Sequence, residues 1–346
     1  MAARTGAMSP ARSPGVPLYD VFNGDADGIC ALHQLRLAQP AETRLITGVK
    51  RDIALLDRLP CDGPMAVTVL DVSLDVNVDA LRRILESGGR VDYFDHHSAQ
   101  RAFAHPRLRL FWDDAPEVCT SILVDRQLEG RYRRWAVAAA FGDNLRAPAR
   151  ALAHSIGLSE ADTAALAELG QLLNYNAYGE CIDDLHFRPE ALYLAVSRFA
   201  DPLDFIRRSW QYAQLADGYR EDSARMAGLA PYLARPGAAV YLLPNAPWAR
   251  RISGVLANQL AAQDGGASFA VLTENADASY VISVRSGAPA LRAANGLCEQ
   301  FASGGGRKAA AGINRLPASD LDRFIRLFCA YFCAADAALA GVTDAA

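Results

Sequence analysis

From Leu18 to about Leu158, short apolar runs alternate with segments in which apolar residues recur every three or four positions. The runs Leu18–Phe22, Arg44–Thr47, Met65–Leu70, Val91–Phe94 and Leu108–Trp112 read as strands. The spacing predicts helices over Ile29–Ala38, Ile53–Leu59 and Val78–Ser87, and then over Val118–Leu128, Trp135–Phe141 and Ala149–Ile156. Such alternation specifies a parallel sheet with crossover helices. From about Ser159 to Leu233 the pattern is helical throughout, opened by Ser159 and Asp162, which resemble a capping box. Arg235-Pro236-Gly237 then breaks the chain. A second mixed region follows, with strands expected at Ala239–Leu243, Ser268–Thr273 and Tyr280–Val284 and helices at Arg251–Gln263, Leu291–Phe301 and Leu321–Phe332. The fold class expected is α/β. An unstructured tail (1–16) precedes a Rossmann-like parallel-sheet domain (17–158), a helical connector (159–233) and a smaller mixed α/β domain (234–340).

Bulk composition narrows this little. At 346 residues, two domains are the default. A chain 51% hydrophobic and 21% charged is ordinary for a soluble globular protein. No apolar run approaches the ~20 residues of a membrane span, and the first sixteen residues lack the apolar stretch of a signal peptide. A cytoplasmic location and no membrane partner are expected. The seven cysteines are scattered without a Cys-x-x-Cys, and Cys329 and Cys333 fall in an apolar helical pattern, so zinc and disulfide readings are weak. The net charge of −4 argues against long duplex DNA as a partner. Positive charge is nearly all arginine, with Lys50 and Lys308 as the lysines, and reads as compositional bias.

The chemistry lies at the ends of the apolar runs. Asp25 and Asp27 follow the first, Asp71 the third, Asp95-His96-His97 the fourth, and Asp143 the stretch Trp135–Phe141. Open parallel sheets carry their sites at the carboxyl ends of their strands, so these residues are expected to converge. Asn23-Gly24-Asp25-Ala26-Asp27-Gly28 matches half of an EF-hand loop, but position twelve is Gln34 and a strand precedes it, which excludes that reading. A plain Asp/Asn/Gly turn capped by Asp27 is the bland alternative. Oxygen ligands with one or two imidazoles suit Mn2+, or Mg2+ as a harder substitute. Two such ions ~3.5–4 Å apart would activate water and clamp a phosphate.

These motifs, in this order, resemble the DHH phosphoesterase family: Asp25-x-Asp27-Gly28, then Asp71, then Asp95-His96-His97, then Gly142-Asp143-Asn144. Towards the other end, Ser303-Gly304-Gly305-Gly306-Arg307-Lys308-Ala309-Ala310-Ala311-Gly312 resembles the glycine-rich motif of the accompanying DHHA1 domain, with Val284-Arg285-Ser286 resembling the strand that leads to it. The resemblance covers about residues 18–158 and 235–335. It implies two manganese ions, with Asp25 on one, Asp27 on the other and Asp71 as the bridge. His96 and Asp143 would complete the ligand set of the second ion, His97 would face the scissile phosphate, and Asp95 would orient the histidines. Arg285, Ser286, Gly304, Gly305, Gly306 and Arg307 would bind substrate, the glycines by an anion nest of backbone N–H groups.

The chain departs from the family pattern at Asn23, where RecJ-like members carry an Asp, and at Val21, where others carry a His. It also departs at Ser303, in place of a glycine, and at Arg307, in place of a histidine. The family contains RecJ-type exonucleases, nano-RNases and cyclic-dinucleotide phosphodiesterases. The resemblance implies hydrolysis of a short single-stranded oligonucleotide or dinucleotide by a two-metal hydroxide mechanism. Hydrolysis of another phosphate compound, such as a nucleoside bisphosphate or polyphosphate, stays open, as does a catalytically disabled nucleotide-binding module. Tyr175, Asn176 and Tyr178 read as helix-end packing rather than base contacts. The apolar face of residues 321–333 would serve a core or a homodimer equally well.

Overall fold

The computed structural model describes residues 15–333, so most of the expected tail and the end of the expected second domain lie outside the described residues. The chain divides into two compact units, one through Tyr219 and one from Arg220.

The first unit is built on five parallel strands: β1 (Leu18–Phe22), β2 (Arg44–Ile46), β3 (Ala66–Leu70), β4 (Arg90–Asp95) and β5 (Leu108–Trp112). Their order is β2-β1-β3-β4-β5. The chain leaves β1 through α1 (Ala26–Ala38) to β2 on one side, then returns past β1 to β3 on the other. The carboxyl ends of β1 and β3 therefore flank a topological switch point, where open α/β sheets leave a crevice.

Side-chain alternation along the strands separates two cores. Tyr19, Val21, Val67, Val69, Val91 and Tyr93 face α2 (Leu74–Glu86), which supplies Leu74, Val78, Leu81, Ile84 and Leu85 at helical spacing. Phe22, Leu70 and Phe94 face the opposite layer, formed by α1, α3 (Thr120–Gln127), α4 (Arg133–Gly142), α5 (Arg146–Ser155), α6 (Glu160–Ala177), α7 (Pro189–Val196) and α8 (Pro202–Arg208). On that face the strands also carry buried Asp20. Arg36 of α1 neutralises it through an ion pair, and Thr43 Oγ1 donates to it at 2.7 Å. Losing the guanidinium would leave a buried charge uncompensated, at a cost of about 3–5 kcal/mol.

Ser159 caps α6 by accepting from the Asp162 N–H at 3.0 Å. Leu166, Leu169, Leu172 and Leu173 of α6 lie in the core of the first unit. Residues 159–219 of the expected connector are thus part of that unit, because α6–α8 bury their apolar faces against α1 and α4. α9 (Trp210–Met226) carries the division.

The second unit holds β6 (Leu233–Arg235), β7 (Ala238–Leu243), α10 (Pro247–Gln263), β8 (Ser268–Glu274), β9 (Tyr280–Arg285), α11 (Ala294–Cys298), β10 (Gly304–Gly306), β11 (Ala310–Leu316) and α12 (Leu321–Phe332). Its sheet runs β10-β11-β9-β8-β7-β6, and only β7 and β8 pair in parallel. Phe324, Phe328 and Phe332 of α12 are buried in this unit's own core, so its apolar face is spent there.

Three expected elements differ. Ile53–Leu59 is a single 3-10 turn over Leu55–Arg58, because Asn77 takes its backbone groups: Oδ1 accepts from Leu56 N–H at 3.1 Å and Nδ2 donates to Ile53 O at 2.7 Å. The helix expected over Leu291–Phe301 shortens to α11, with Leu291 86% exposed. The glycine run is a strand, β10, paired with the unexpected β11. All seven cysteines are free thiols. Among the described residues no helix is long and apolar enough to cross a membrane.

His33 of α1 offers a measurable check on this packing. Its Nε2–H donates to Phe199 O at 2.7 Å, its ring stands edge-on to Trp135 with centroids 4.7 Å apart, and Nδ1 is buried with no hydrogen-bond partner. Burial pulls its pKa down from 6.5 to about 4, outweighing the bond to Phe199. The unfolded chain binds this proton over a pH range in which the folded chain does not. Stability is therefore lost as pH falls from ~6.5 towards about 4, amounting to about 2 kcal/mol at pH ~5. The deficit of His33→Gln in urea unfolding is expected to be largest at pH ~7 and to shrink by about that amount at pH ~5. An unchanged gap between the two proteins would show that His33 titrates normally in the fold.

Candidate metal centre at the carboxyl rim of the parallel sheet

The turn after β1 brings two carboxylates to the rim in different ways. Asp25 caps α1: its Oδ1 accepts from the N–H groups of Asp27 at 3.0 Å and Gly28 at 3.1 Å. A Cβ at Gly28 would lie 2.1 Å from the Asn23 carbonyl oxygen, so only glycine lets the helix start this close. Asp27, two residues on, points the other way. Its two oxygens accept from the backbone N–H groups of Thr120 and Ser121, each at 2.7 Å, which fastens the start of α3 to the rim.

β3 delivers Asp71, which is 2% exposed and sits at φ 59°, a left-handed conformation uncommon outside glycine. Its N–H donates to Phe94 O at 3.0 Å, and Thr120 Oγ1 donates to its Oδ1 at 3.4 Å. β4 delivers the triplet. Asp95 Oδ1 accepts from the His96 and His97 N–H groups at 2.9 and 3.3 Å, and from His97 Nδ1 at 2.7 Å. His96 Nδ1 donates to Val118 O at 2.9 Å, which leaves Nε2 as the lone-pair nitrogen. That nitrogen faces Asp71 Oδ1 at 3.4 Å, Asp27 Oδ2 at 3.9 Å and Asp143 Oδ2 at 3.9 Å. Asp143 lies at the C-terminus of α4, the negative end of the helix dipole, where a carboxylate is disfavoured unless a cation is near.

The electrostatics follow from this crowding. Burial, and then the charges of Asp25 and Asp27, push the Asp71 carboxyl well above its ordinary range. Burial likewise raises Asp27. Burial also opposes ionisation of Asp25, but the Lys50 ammonium beside it outweighs this and holds the carboxyl below its usual value. His97 is raised: burial works against the imidazolium, and the Asp95 hydrogen bond and charge prevail.

Asp27, Asp71, His96 and Asp143 thus form a donor set that fits a divalent cation, with three oxygens and one imidazole nitrogen whose other nitrogen is anchored. Ligand atoms of Asp71, His96 and His97 also lie within 4.8 Å of one another. Asp25, expected on a second ion, interacts with the Asp71 carboxyl and has its own neighbours. Its Oδ1 caps α1 and its Oδ2 contacts the Lys50 ammonium, a cation of the chain itself, while Val21 is fully buried in the apolar core. Asn23 Oδ1 accepts from Asp25 N–H at 3.2 Å. Sequence reasoning missed Lys50, Thr120, Ser121 and Asn174. Only the rarity of lysine in this chain signalled the first. Tyr175 and Asn176 are buried, and Asn176 bonds Phe187 through both amide atoms, as helix-end packing requires.

The other expected residues lie in the second unit. Arg285 ends β9, and its Nε donates to Asn258 Oδ1 at 2.9 Å. Ser286 Oγ donates to Arg292 O at 2.6 Å. Gly304–Gly306 form an edge strand rather than a nest-forming loop, because Ala311 and Gly312 of β11 are small enough to pair with them. Gly306 adopts φ 134°, and a Cβ there would lie 2.5 Å from Ala311 Cα. The Arg307 N–H closes the turn onto Ala310 O at 2.8 Å.

A strained, crowded carboxylate is a stability cost kept for a site. In EDTA at neutral pH, Asp71→Asn is expected to stabilise the protein by about 1–2 kcal/mol, or about 3–6 °C in melting temperature. Asparagine tolerates the left-handed backbone and can still accept from Thr120. A lowered melting temperature would show that Asp71 is not under strain.

No family model and no curated protein sequence matches the chain. Solved structures do match over nearly its whole length. A RecJ exonuclease bound to manganese is 18% identical with a TM-score of 0.59, covering 92% of this chain and 90% of that one. The Mn2+ complex of RecJ from Thermus thermophilus is 18% identical with a TM-score of 0.53, and the aligned region spans about half of that chain, 52%. PggH, a pGpG-specific phosphodiesterase from Vibrio cholerae, is 12% identical with a TM-score of 0.52, covering 90% of this chain and 98% of that one. At these identities the likeness concerns the fold: the chain has the two-part α/β fold of the RecJ-type DHH phosphoesterases.

Proposed function

We propose that the chain is a metal-dependent phosphodiesterase that hydrolyses short oligonucleotides or dinucleotides. The observation that carries the reading is the pose of His96. Its Nδ1–H is fixed on Val118 O, and Nε2 faces oxygens of Asp27, Asp71 and Asp143 within 3.9 Å. Asp27, Asp71, His96 and Asp143 would hold the ion, and this hard-oxygen set with one imidazole suits Mn2+, with Mg2+ as a substitute. When bound, such an ion supplies Lewis-acid polarisation of the phosphoryl group and activation of water.

The chain's own groups set the rest. Asp95 holds His97 through Nδ1, leaving Nε2–H as the donor for a phosphoryl oxygen. The His97 side chain is 41% exposed, within reach of a ligand. Asp95 also favours the imidazolium, which stabilises charge developing on that oxygen. Thr120 and Ser121 fix Asp27, and Thr120 fixes Asp71, so the donors are preorganised. In the second unit the edge strand Gly304–Gly306 and Arg307 are proposed to hold phosphate through backbone N–H groups and the guanidinium. Arg285 and Ser286 support the segments on either side. The net charge of −4 and the likeness to PggH favour a short ligand over a long duplex.

The test is a panel of 5′-phosphorylated RNA and DNA oligomers of about two to ten nucleotides with Mn2+, run beside a nucleoside bisphosphate and a polyphosphate. Mononucleotide release is expected to be fastest on the shortest oligomers, abolished by EDTA, and reduced at least about a hundredfold in Asp71→Ala. Turnover confined to the bisphosphate or polyphosphate would replace this substrate class. No turnover of any compound by metal-loaded, folded protein would end the enzymatic reading.

A further inference from the structure

The donors around His96 account for one cation, while the β1–β2 side of the rim is filled differently. Lys50 lies just beyond β2, and its ammonium contacts Asp25 Oδ2 and donates to Asn174 Oδ1 at 3.0 Å. The Tyr178 ring lies 5.8 Å from Nζ. The Lys50 backbone is fastened on both sides: its N–H donates to Ala177 O at 2.9 Å, and its carbonyl accepts from Asn23 Nδ2 at 3.2 Å. The ammonium is therefore held from two directions against a carboxylate that is itself immobilised as a helix cap.

A divalent ion on Asp25 would need several more oxygen or nitrogen donors. The Asp71 carboxyl lies beside Asp25 but is shared with the His96 side of the rim, and the other neighbours are committed elsewhere. Asn23 uses both amide atoms to brace the turn and the Lys50 carbonyl, and Val21 is apolar and fully buried. A second observation comes from composition. Of 35 Lys and Arg residues, only Lys50 and Lys308 are lysines. A compact ammonium can occupy a pocket the size of a cation, which the broad planar guanidinium cannot. The buried Asp25 carboxylate is met by one of these two rare residues.

We propose that the Lys50 ammonium is a built-in counter-ion that takes the place of one divalent ion, so that the centre loads a single divalent cation, on Asp27, Asp71, His96 and Asp143. The inference rests on the reading of this rim as a metal centre. Asp25 then serves as the anchor of the ammonium and of α1, not as a metal ligand.

The two-lysine composition makes the proposal directly observable. Protein labelled with nitrogen-15 at its lysine side chains gives two ammonium signals. Lys50→Met identifies the Lys50 signal by its loss, and Lys308→Arg identifies it by elimination if that variant does not fold. Mn2+ uptake is counted by elemental analysis after buffer exchange, and the ammonium signals are followed to saturation with diamagnetic Mg2+. The expected result is one Mn2+ per chain, with a slowly exchanging Lys50 signal that persists when the metal site is full. Two Mn2+ per chain, or a Lys50 signal that collapses to that of a solvated lysine on loading, would overturn the proposal and leave the metal centre standing. Failure to bind any Mn2+ would overturn the metal-centre reading and the proposal with it.

Discussion

Like charges gathered in a place that water barely reaches are the constraint on which this rim depends. Asp25, Asp27, Asp71 and Asp95 are each buried, and Asp143 joins them from the negative end of a helix. Burial and the neighbouring carboxylates oppose the charge on Asp27 and Asp71 in particular. The carboxylates stay because separate elements hold them: Asp25 by the α1 cap, Asp27 by two α3 amides, Asp71 by a left-handed backbone, and Asp95 by both histidines. The surrounding fold supplies the rigidity that the charges alone would destroy.

That rigidity comes from the two cores on either face of the sheet. A parallel strand buried on both faces cannot slip by one residue without exchanging its α2-facing set for its α1-facing set. Register along β1, β3 and β4 therefore sets which residues reach the rim. The imidazole of His96 lies where oxygens from a strand turn, a neighbouring strand and a helix end meet. The same carbonyl that orients it, Val118 O, belongs to the loop that leads into α3, which Asp27 tethers.

The five parallel strands were legible because short apolar runs, interrupted at single positions such as Asp20, Asp92 and Arg109, are bounded by turn residues. The Asp and His residues at their ends were legible for the same reason, since the end of a run is also the edge of the sheet. Lys50 was not. Its segment has no periodicity, and its partner Asn174 lies 124 positions away, so only the folded chain brings them together. The glycines 304–306 were legible as a place needing unobstructed backbone, but not as a strand. Their partner Ala310–Leu316 is too rich in alanine and glycine to announce itself. Ile53–Leu59 misled because its apolar spacing suited a helix whose backbone groups Asn77 then claimed.

The bond from Lys50 to Asn174 has a consequence for the timing of synthesis. The rim closes only when the end of α6 is in place, with Lys50 N–H on Ala177 O and its ammonium on Asn174. A ribosome making this chain releases Asp25, Asp27 and Asp71 long before that point. A chain that ends before Asn174 would carry the acidic turns without the bonds that Asn174 and Ala177 make to Lys50.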